Sequence, residues 1–349
     1  DRRFTKQYQD KYYYFRGLRW QHRKLLLYCQ RGFGSSCLDP LLESKMNVMI
    51  EMTACDGQKF KAKYWKSISD VRGTVQILHG MSEHHRRYQE LAKYLNEDGF
   101  HVIAHDHRGH GNRISSGKMG HFADSLGWDL VVDDAIRIGK KALELHKGPL
   151  FLLGHSMGSF IAQKILTLDE IDYRGYILTG TDYLPRRLYQ LSAWIPKLEC
   201  LRLGMLSKSS LIQTLTFGRF NSAIKGAHTG FDWISTNPTN VQNYLTDIQC
   251  GFTMSSGAWL DLLNGLAGTF PPRLPKLKTE KAVLICNGAE DPISSAQRLE
   301  WLRQKLQSIG CSVTVKILPK QRHEVLQEKN RRVLFANIHK WMKKLSNVD

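Results

Sequence analysis

Short apolar runs along this chain alternate with segments in which apolar residues recur every three or four positions. Leu150 to Leu153 form an unbroken apolar run before Gly154, the pattern of a strand buried on both faces. Ile161, Ile165 and Leu168 follow with helix spacing. "GTVQILHG" and "GFHVIAHDHRGHG" repeat the strand pattern, with a helix expected between them near Tyr88 to Asp98. Upstream, "MNVMIEMTACDGQKFKAKYWK" reads as two strands around an Asp56-Gly57 turn. "DLVVDDAIRIGKKALELH" carries helix spacing, and "YRGYILTGT" reads as a strand. "KAVLICNGAEDP" and "SVTVKILP" read as further strands, with helices near Gln297 to Ser308 and up to Leu345. This alternation predicts an α/β fold, with a mostly parallel central sheet covered by helices on both faces.

The rhythm breaks between about Asp182 and Phe270, where the pattern is helical throughout. A break of this kind in an α/β sheet predicts an inserted helical cap over the carboxyl edge of the strands. Trp194, Leu198, Leu201, Leu211, Leu215, Phe217 and Trp259 are its large apolar residues. They fit a channel for an acyl chain and equally fit packing of the cap on the core. The expected organisation is a basic N-terminal extension (1–45), core (46–181), helical cap insertion (182–270) and core again (271–349).

With 349 residues, 42% hydrophobic and 23% charged, the chain has the composition of an ordinary globular protein and the length for one large domain with an insertion. No run approaches the roughly 18 apolar residues needed to cross a bilayer. The basic N-terminus lacks the apolar segment and small-residue cleavage site of a secretory signal. The seven cysteines are odd in number and scattered without a C-x-x-C pair, so neither a disulfide framework nor a zinc knuckle is indicated. Cys286, inside "AVLIC", is expected to be a packed core thiol. A cytoplasmic location follows as the expectation. The net charge of +18 fits either a solvated basic surface or weak peripheral contact with an anionic membrane surface. No nucleic-acid module is present, so no nucleic-acid partner is expected; the pattern carries no information on oligomeric state.

The chemistry centres on "GHSMG", in which Gly154 and Gly158 bracket Ser156 as G-x-S-x-G between the predicted strand and helix. A sharp strand-to-helix turn crowds its neighbours, and glycines on either side relieve that crowding while the hydroxyl stands clear. Serine needs a base, a group to orient that base, and donors for the oxyanion. Asp291 in "GAEDP" and His323 in "RHEVLQE" each follow a late strand, which brings them to the same carboxyl edge of the sheet. His323 is the candidate general base and Asp291 its orienting partner. In "ILHGMSEH", His79 and Gly80 let the chain turn, and the backbone amides of Met81 and Met157 are the candidate oxyanion donors. Asp106, Arg108 and His110 in "DHRGHG" read as a hydrogen-bonded loop bracing the site floor. His79, His84, His105, His107, His110 and His121 raise the question of zinc, but no helical H-E-x-x-H arrangement or thiolate partner accompanies them. No metal and no cofactor are expected.

"HGMSEH", "DHRGHG", "GHSMGS", the aspartate of "GAEDP" and the histidine of "RHEVLQE" resemble the monoacylglycerol lipase and lysophospholipase branch of the α/β-hydrolases, often labelled serine aminopeptidase-like. The resemblance runs from about residue 46 to 345, and "GWDLVVDDA", "FGRFN", "GFDWIS" and "CGFTMSSG" extend it to bacterial members. It implies an α/β-hydrolase fold and a serine hydrolase acting through an acyl-enzyme on a small lipid ester. It also implies that Ser156, Asp291 and His323 form the triad and that Met81 and Met157 supply the oxyanion amides. Met81-Ser82 replaces smaller residues of that branch, which narrows the expected acyl entrance, and residues 1–45 have no counterpart in it. Two alternatives stand beside this reading. An aminopeptidase would need an acid to hold the substrate ammonium, for which Glu83 and Glu290 are candidates. A catalytically silent membrane- or partner-binding homologue is the other, and the intact triad argues against it.

Overall fold

The computed structural model describes residues 47–346, so the basic extension lies outside the described residues. Eight strands form one sheet: β1 (Asn47–Thr53), β2 (Lys59–Trp65), β3 (Gly73–Leu78), β4 (Phe100–His105), β5 (Leu150–His155), β6 (Gly175–Thr179), β7 (Lys281–Gly288) and β8 (Cys311–Leu318). Their spatial order is β1-β2-β4-β3-β5-β6-β7-β8. β2 runs antiparallel to β1 and β4, and every pairing from β4 to β8 is parallel. The predicted α/β architecture is observed.

The helices are α1 (Gln89–Glu97), α2 (Gly127–Leu145), α3 (Met157–Leu168), α4 (Arg186–Ser192), α5 (Trp194–Leu203), α6 (Ser210–Gln213), α7 (Arg219–Ser222), α8 (Pro238–Thr246), α9 (Ser256–Thr269), α10 (Ala296–Ser308) and α11 (Arg331–Ser346). A π-helical turn, Thr214–Gly218, joins α6 to α7. β5 shows why the central strands read as unbroken apolar runs. Leu150 and Leu152 enter a core shared with α2, α3 and α10, whereas Phe151 and Leu153 enter one shared with α1 and α11. Side chains alternate across a strand, so a sheet covered on both faces needs apolar residues at every position. One polar group crosses this core: the Gln76 amide donates to the Ala135 carbonyl (2.8 Å) and accepts from the Tyr173 hydroxyl (2.6 Å). Cys286 is fully buried in β7, as its apolar run predicts.

Between β6 and β7 the described chain is helical, without a strand. α9 closes this segment and buries Leu262 and Leu266 in the same core as Trp128 of α2. The helical stretch is therefore fastened to the main body through α9. No helix among the described residues is long and apolar enough to cross a membrane.

Candidate active site

Ser156 occupies the turn from β5 into α3 with φ 50° and ψ −119°, a conformation that strains a residue carrying a Cβ. The turn is held from both sides. The Ser156 amide donates to the Thr179 carbonyl of β6 (2.9 Å), and its carbonyl accepts from the Ser159 amide (2.8 Å) and hydroxyl (2.6 Å). A Cβ on Gly158 would lie 2.1 Å from the Leu78 carbonyl oxygen, and one on Gly154 would lie 2.3 Å from that of Gly158. Both contacts are with backbone, which cannot move aside, so these positions admit only glycine.

His323 Nδ1 donates to Asp291 Oδ2 at 2.9 Å, with both residues buried. Asp291 Oδ1 accepts the Ile293 amide at 2.9 Å, which fixes the carboxylate. That bond commits the Nδ1 proton and leaves Nε2 as the lone-pair nitrogen. Nε2 is buried and has no hydrogen-bond partner among the described residues, and His323 lines the same cavity as Ser156. The ring lies 5.1 Å from Trp233 and 4.9 Å from His155. Gly180, with φ 54°, makes room for this packing, because a Cβ there would come within 2.9 Å of both imidazoles. Burial works against a charged His323, but Asp291, then Glu324 and Glu83, outweigh it and raise the imidazole pKa above its ordinary value. Neighbouring His155 moves the other way, to about 4, because burial and the charge of His323 both disfavour its protonation.

The loop after β3 runs beside the serine, where a Cβ on Gly80 would lie 3.2 Å from Ser156 Cβ. Met81 and Met157 line the cavity with Ser156. Met157 is the first residue of α3, where an amide has no acceptor within its own helix. His79 is buried behind them; its Nδ1 donates to the Gly80 carbonyl (2.7 Å) and its Nε2 accepts the His107 amide (3.0 Å). Asp106 accepts from the His85 amide (3.0 Å), His85 Nδ1 (2.7 Å) and the Asn112 amide (2.8 Å). Arg108 pairs with Asp134 of α2 (2.7 Å) and Asp56 of the β1–β2 turn (2.5 Å), and its carbonyl accepts His110 Nδ1 (2.9 Å). None of Asp106, Arg108 and His110 lines the cavity; they brace the loops that do.

A buried charge cluster beside the serine went unread in the sequence. Glu83 Oε1 accepts the Gly80 amide (2.5 Å) and the Tyr88 hydroxyl (2.8 Å), while its Oε2 takes Arg87 (2.8 Å). Arg87 also grips both oxygens of Glu324 (2.6 and 2.7 Å), and Asn240 of α8 donates to Glu324 (2.7 Å). Arg87 thus joins the loop after β3 to the loop of His323. The Glu83-to-Arg87 helical spacing was a signal that could have been found; Glu324 has only its adjacency to His323. Glu290, the other acid considered for an ammonium, is exposed, lies outside the cavity and contributes its amide to the Gln321 carbonyl (2.9 Å).

The cavity measures about 790 Å³ and is largely apolar, with Phe160, Phe217, Trp233, Trp259 and Ile293 in its wall. Leu215 lines it too, but Trp194, Leu198, Leu201 and Leu211 do not. Those four are 57%, 58%, 77% and 48% exposed, so they serve neither of the two roles their pattern fitted, lining a channel or packing the cap on the core. Trp194, Leu198 and Leu201 share one face of α5, and that face points outward. Ser82, at φ 56°, bonds through its hydroxyl to the Phe252 carbonyl (2.7 Å) and stays buried, so only Met81 of the Met81-Ser82 pair enters the cavity wall.

His84 does have a thiol nearby: donor atoms of His84, Asp247 and Cys250 lie within 4.8 Å of one another, away from the cavity lining. His84 Nε2 is hydrogen-bonded to Asp247 Oδ2 at 2.8 Å. His105 is the last residue of β4.

A serine raised on a strand-to-helix turn at the edge of an open, mostly parallel sheet places the protein among the α/β-hydrolases. Residues 69–330 match the family described as "Serine aminopeptidase, S33", and the chain belongs to that family. A monoacylglycerol lipase of Mycolicibacterium smegmatis is 25% identical over 278 residues, 80% of this chain and 90% of that one. A human monoglyceride lipase is 28% identical over 246 residues, 69% of this chain and 73% of that one. A thermostable carboxyl esterase from Bacillus coagulans, solved in complex with glycerol, is 25% identical with a TM-score of 0.75, over 86% of this chain and 99% of that one.

Proposed function

We propose that the protein hydrolyses carboxylic esters of single-acyl lipids, as a monoacylglycerol lipase or lysophospholipase, through an acyl-enzyme. Ser156 Oγ attacks the ester carbonyl as His323 Nε2 takes its proton, and Asp291 stabilises the imidazolium that forms. The Met81 and Met157 amides hold the oxyanion. Collapse of the tetrahedral intermediate breaks the bond to the alcohol, which leaves with the proton from His323. Water, deprotonated by the same nitrogen, then releases the fatty acid and restores the serine. The observation that carries this reading is the apolar cavity of about 790 Å³ lined by both Ser156 and His323. A cavity of that size walled by aromatic and aliphatic groups favours an acyl chain over a polar substrate. The relatives named as lipases and the esterase agree with it.

The aminopeptidase reading lacks its acid. Each carboxylate lining the cavity is already paired: Glu83 and Glu324 with Arg87, and Asp182 with Arg298. Holding a substrate ammonium would require breaking one of these buried pairs.

Access to lipid is the second element of the proposal. Leu191, Trp194, Leu198 and Leu201 fall on one face of consecutive helices α4 and α5 and are all more than half exposed. Exposed Arg186, Arg187 and Lys197 border them. An apolar stripe flanked by cations fits peripheral contact with an anionic membrane surface.

Fluorophosphonate labelling, followed by hydrolysis of p-nitrophenyl esters of rising chain length beside an aminoacyl-amide, tests the reaction. Labelling lost in Ser156→Ala, with a rate optimum at long chains, is the expected result. Hydrolysis confined to the aminoacyl-amide, or a wild type that does not label, would overturn it.

A further inference from the structure

The charges that line the cavity do not all cancel in pairs. Arg87 neutralises Glu83 and Glu324 from behind the wall, and Arg298 is paired with Asp182. Arg219 is different. It lines the cavity and is exposed, and its guanidinium has no ion pair or hydrogen bond among the described residues.

The chain from Thr214 to Ser222 is a π-helical turn leading into α7, and such turns occur frequently at functional sites. Every residue from Leu215 to Ala223 except Gly218 and Asn221 lines the cavity. The segment is thus part of the cavity wall, and Arg219 is its one charged residue. The ring of the next residue, Phe220, lies 5.3 Å from Trp233, whose ring lies 5.1 Å from His323. One aromatic ring therefore separates the wall that carries Arg219 from the imidazole.

We propose that Arg219 anchors a phosphate-bearing headgroup, so that the preferred substrates are anionic single-acyl glycerophospholipids rather than neutral monoacylglycerols. This rests on the ester-hydrolase reading of the same site. A guanidinium offers several donors in a planar fork that matches phosphate oxygens, and the charge-assisted bonds it makes are stronger than neutral ones. A neutral glycerol headgroup gains nothing from the charge. An anionic one also benefits from the surrounding field of a chain with net charge +18, which concentrates anions near its surface.

The test compares two esters of the same short acyl chain, a 1-acylglycerol and the corresponding 1-acylglycerol 3-phosphate. Both are used below the concentration at which they aggregate, with the full chain. The readout is the ratio of kcat/KM for the phosphate ester to that for the neutral ester. Arg219→Gln is expected to lower this ratio about tenfold, Arg219→Lys to lower it less, and rising salt to lower it in the wild type. Lys59→Gln removes one exposed charge from β2 and is expected to leave the ratio in place. With both esters hydrolysed, a ratio that does not move in Arg219→Gln, or that falls equally in Lys59→Gln, overturns the assignment of Arg219 alone. Failure to hydrolyse either ester overturns the ester-hydrolase reading and this proposal with it.

Discussion

Arg87→Met removes the one cation shared by two buried carboxylates, so its effect can be worked out from the structure. The Arg87 side chain is 10% exposed, against 3% for Glu83 and 6% for Glu324. Met fills similar space but leaves both carboxylates away from water with only neutral donors. Breaking a buried ion pair from one side costs about 3 to 5 kcal/mol, because the uncompensated charge remains. In a domain of this size that corresponds to a fall in melting temperature of about 5 to 8 °C. The pH dependence has a definite sign. Burial pushes the Glu83 carboxyl up, but Arg87 leads a set of groups that outweigh it and hold it at about 2. A depressed folded pKa contributes stability above the ordinary carboxyl range, and that contribution is lost as pH falls towards the folded value. The gap between wild type and Arg87→Met is therefore widest near neutrality and narrows in acid. Urea denaturation at several pH values measures it. The triple variant Arg87→Met/Glu83→Gln/Glu324→Gln, which carries no orphaned charge, is expected to recover most of the loss. A single variant costing less than about 1 kcal/mol, or a triple variant no more stable than the single, would refute the reasoning.

Asp291→Asn removes the anion that contributes most to raising the His323 pKa, so the acid limb of the pH profile of kcat/KM should move to lower pH while the maximum rate falls. In wild type, His323 is neutral and basic only above its raised pKa, which places that limb above about 6.5; a limb that stays put in the variant would assign the titration to another group. Leu198→Glu/Leu201→Glu places two charges on the exposed face of α5 and is expected to weaken binding to anionic vesicles about tenfold or more. Vesicle binding that survives this change but is lost on deleting residues 1–45 would move the contact to the basic extension.

Much of the scaffold was legible because its signals are local. The run Leu150 to Leu153, the two glycines around Ser156 and the helix spacing behind them lie within one short stretch. Asp291 and His323, whose side chains the structure brings into a hydrogen bond, could be singled out because each follows a strand that is recognisable by itself. What went unread was set by contacts between distant segments. Gly180 looks like any glycine at a strand end until two imidazoles close on it. Arg87 meets Glu324, and His84 meets Cys250, only after the sheet has brought their loops together.

The order of residues by itself determined the α/β alternation, the turn that raises Ser156, and which side chains share a helical face. Only the tertiary structure decided where those faces look: Phe217 and Trp259 into the cavity, Leu198 and Leu201 out to solvent. Periodicity records the angle of a side chain around its own axis. It carries no information on which neighbour that axis is packed against, and burial is a property of the neighbour.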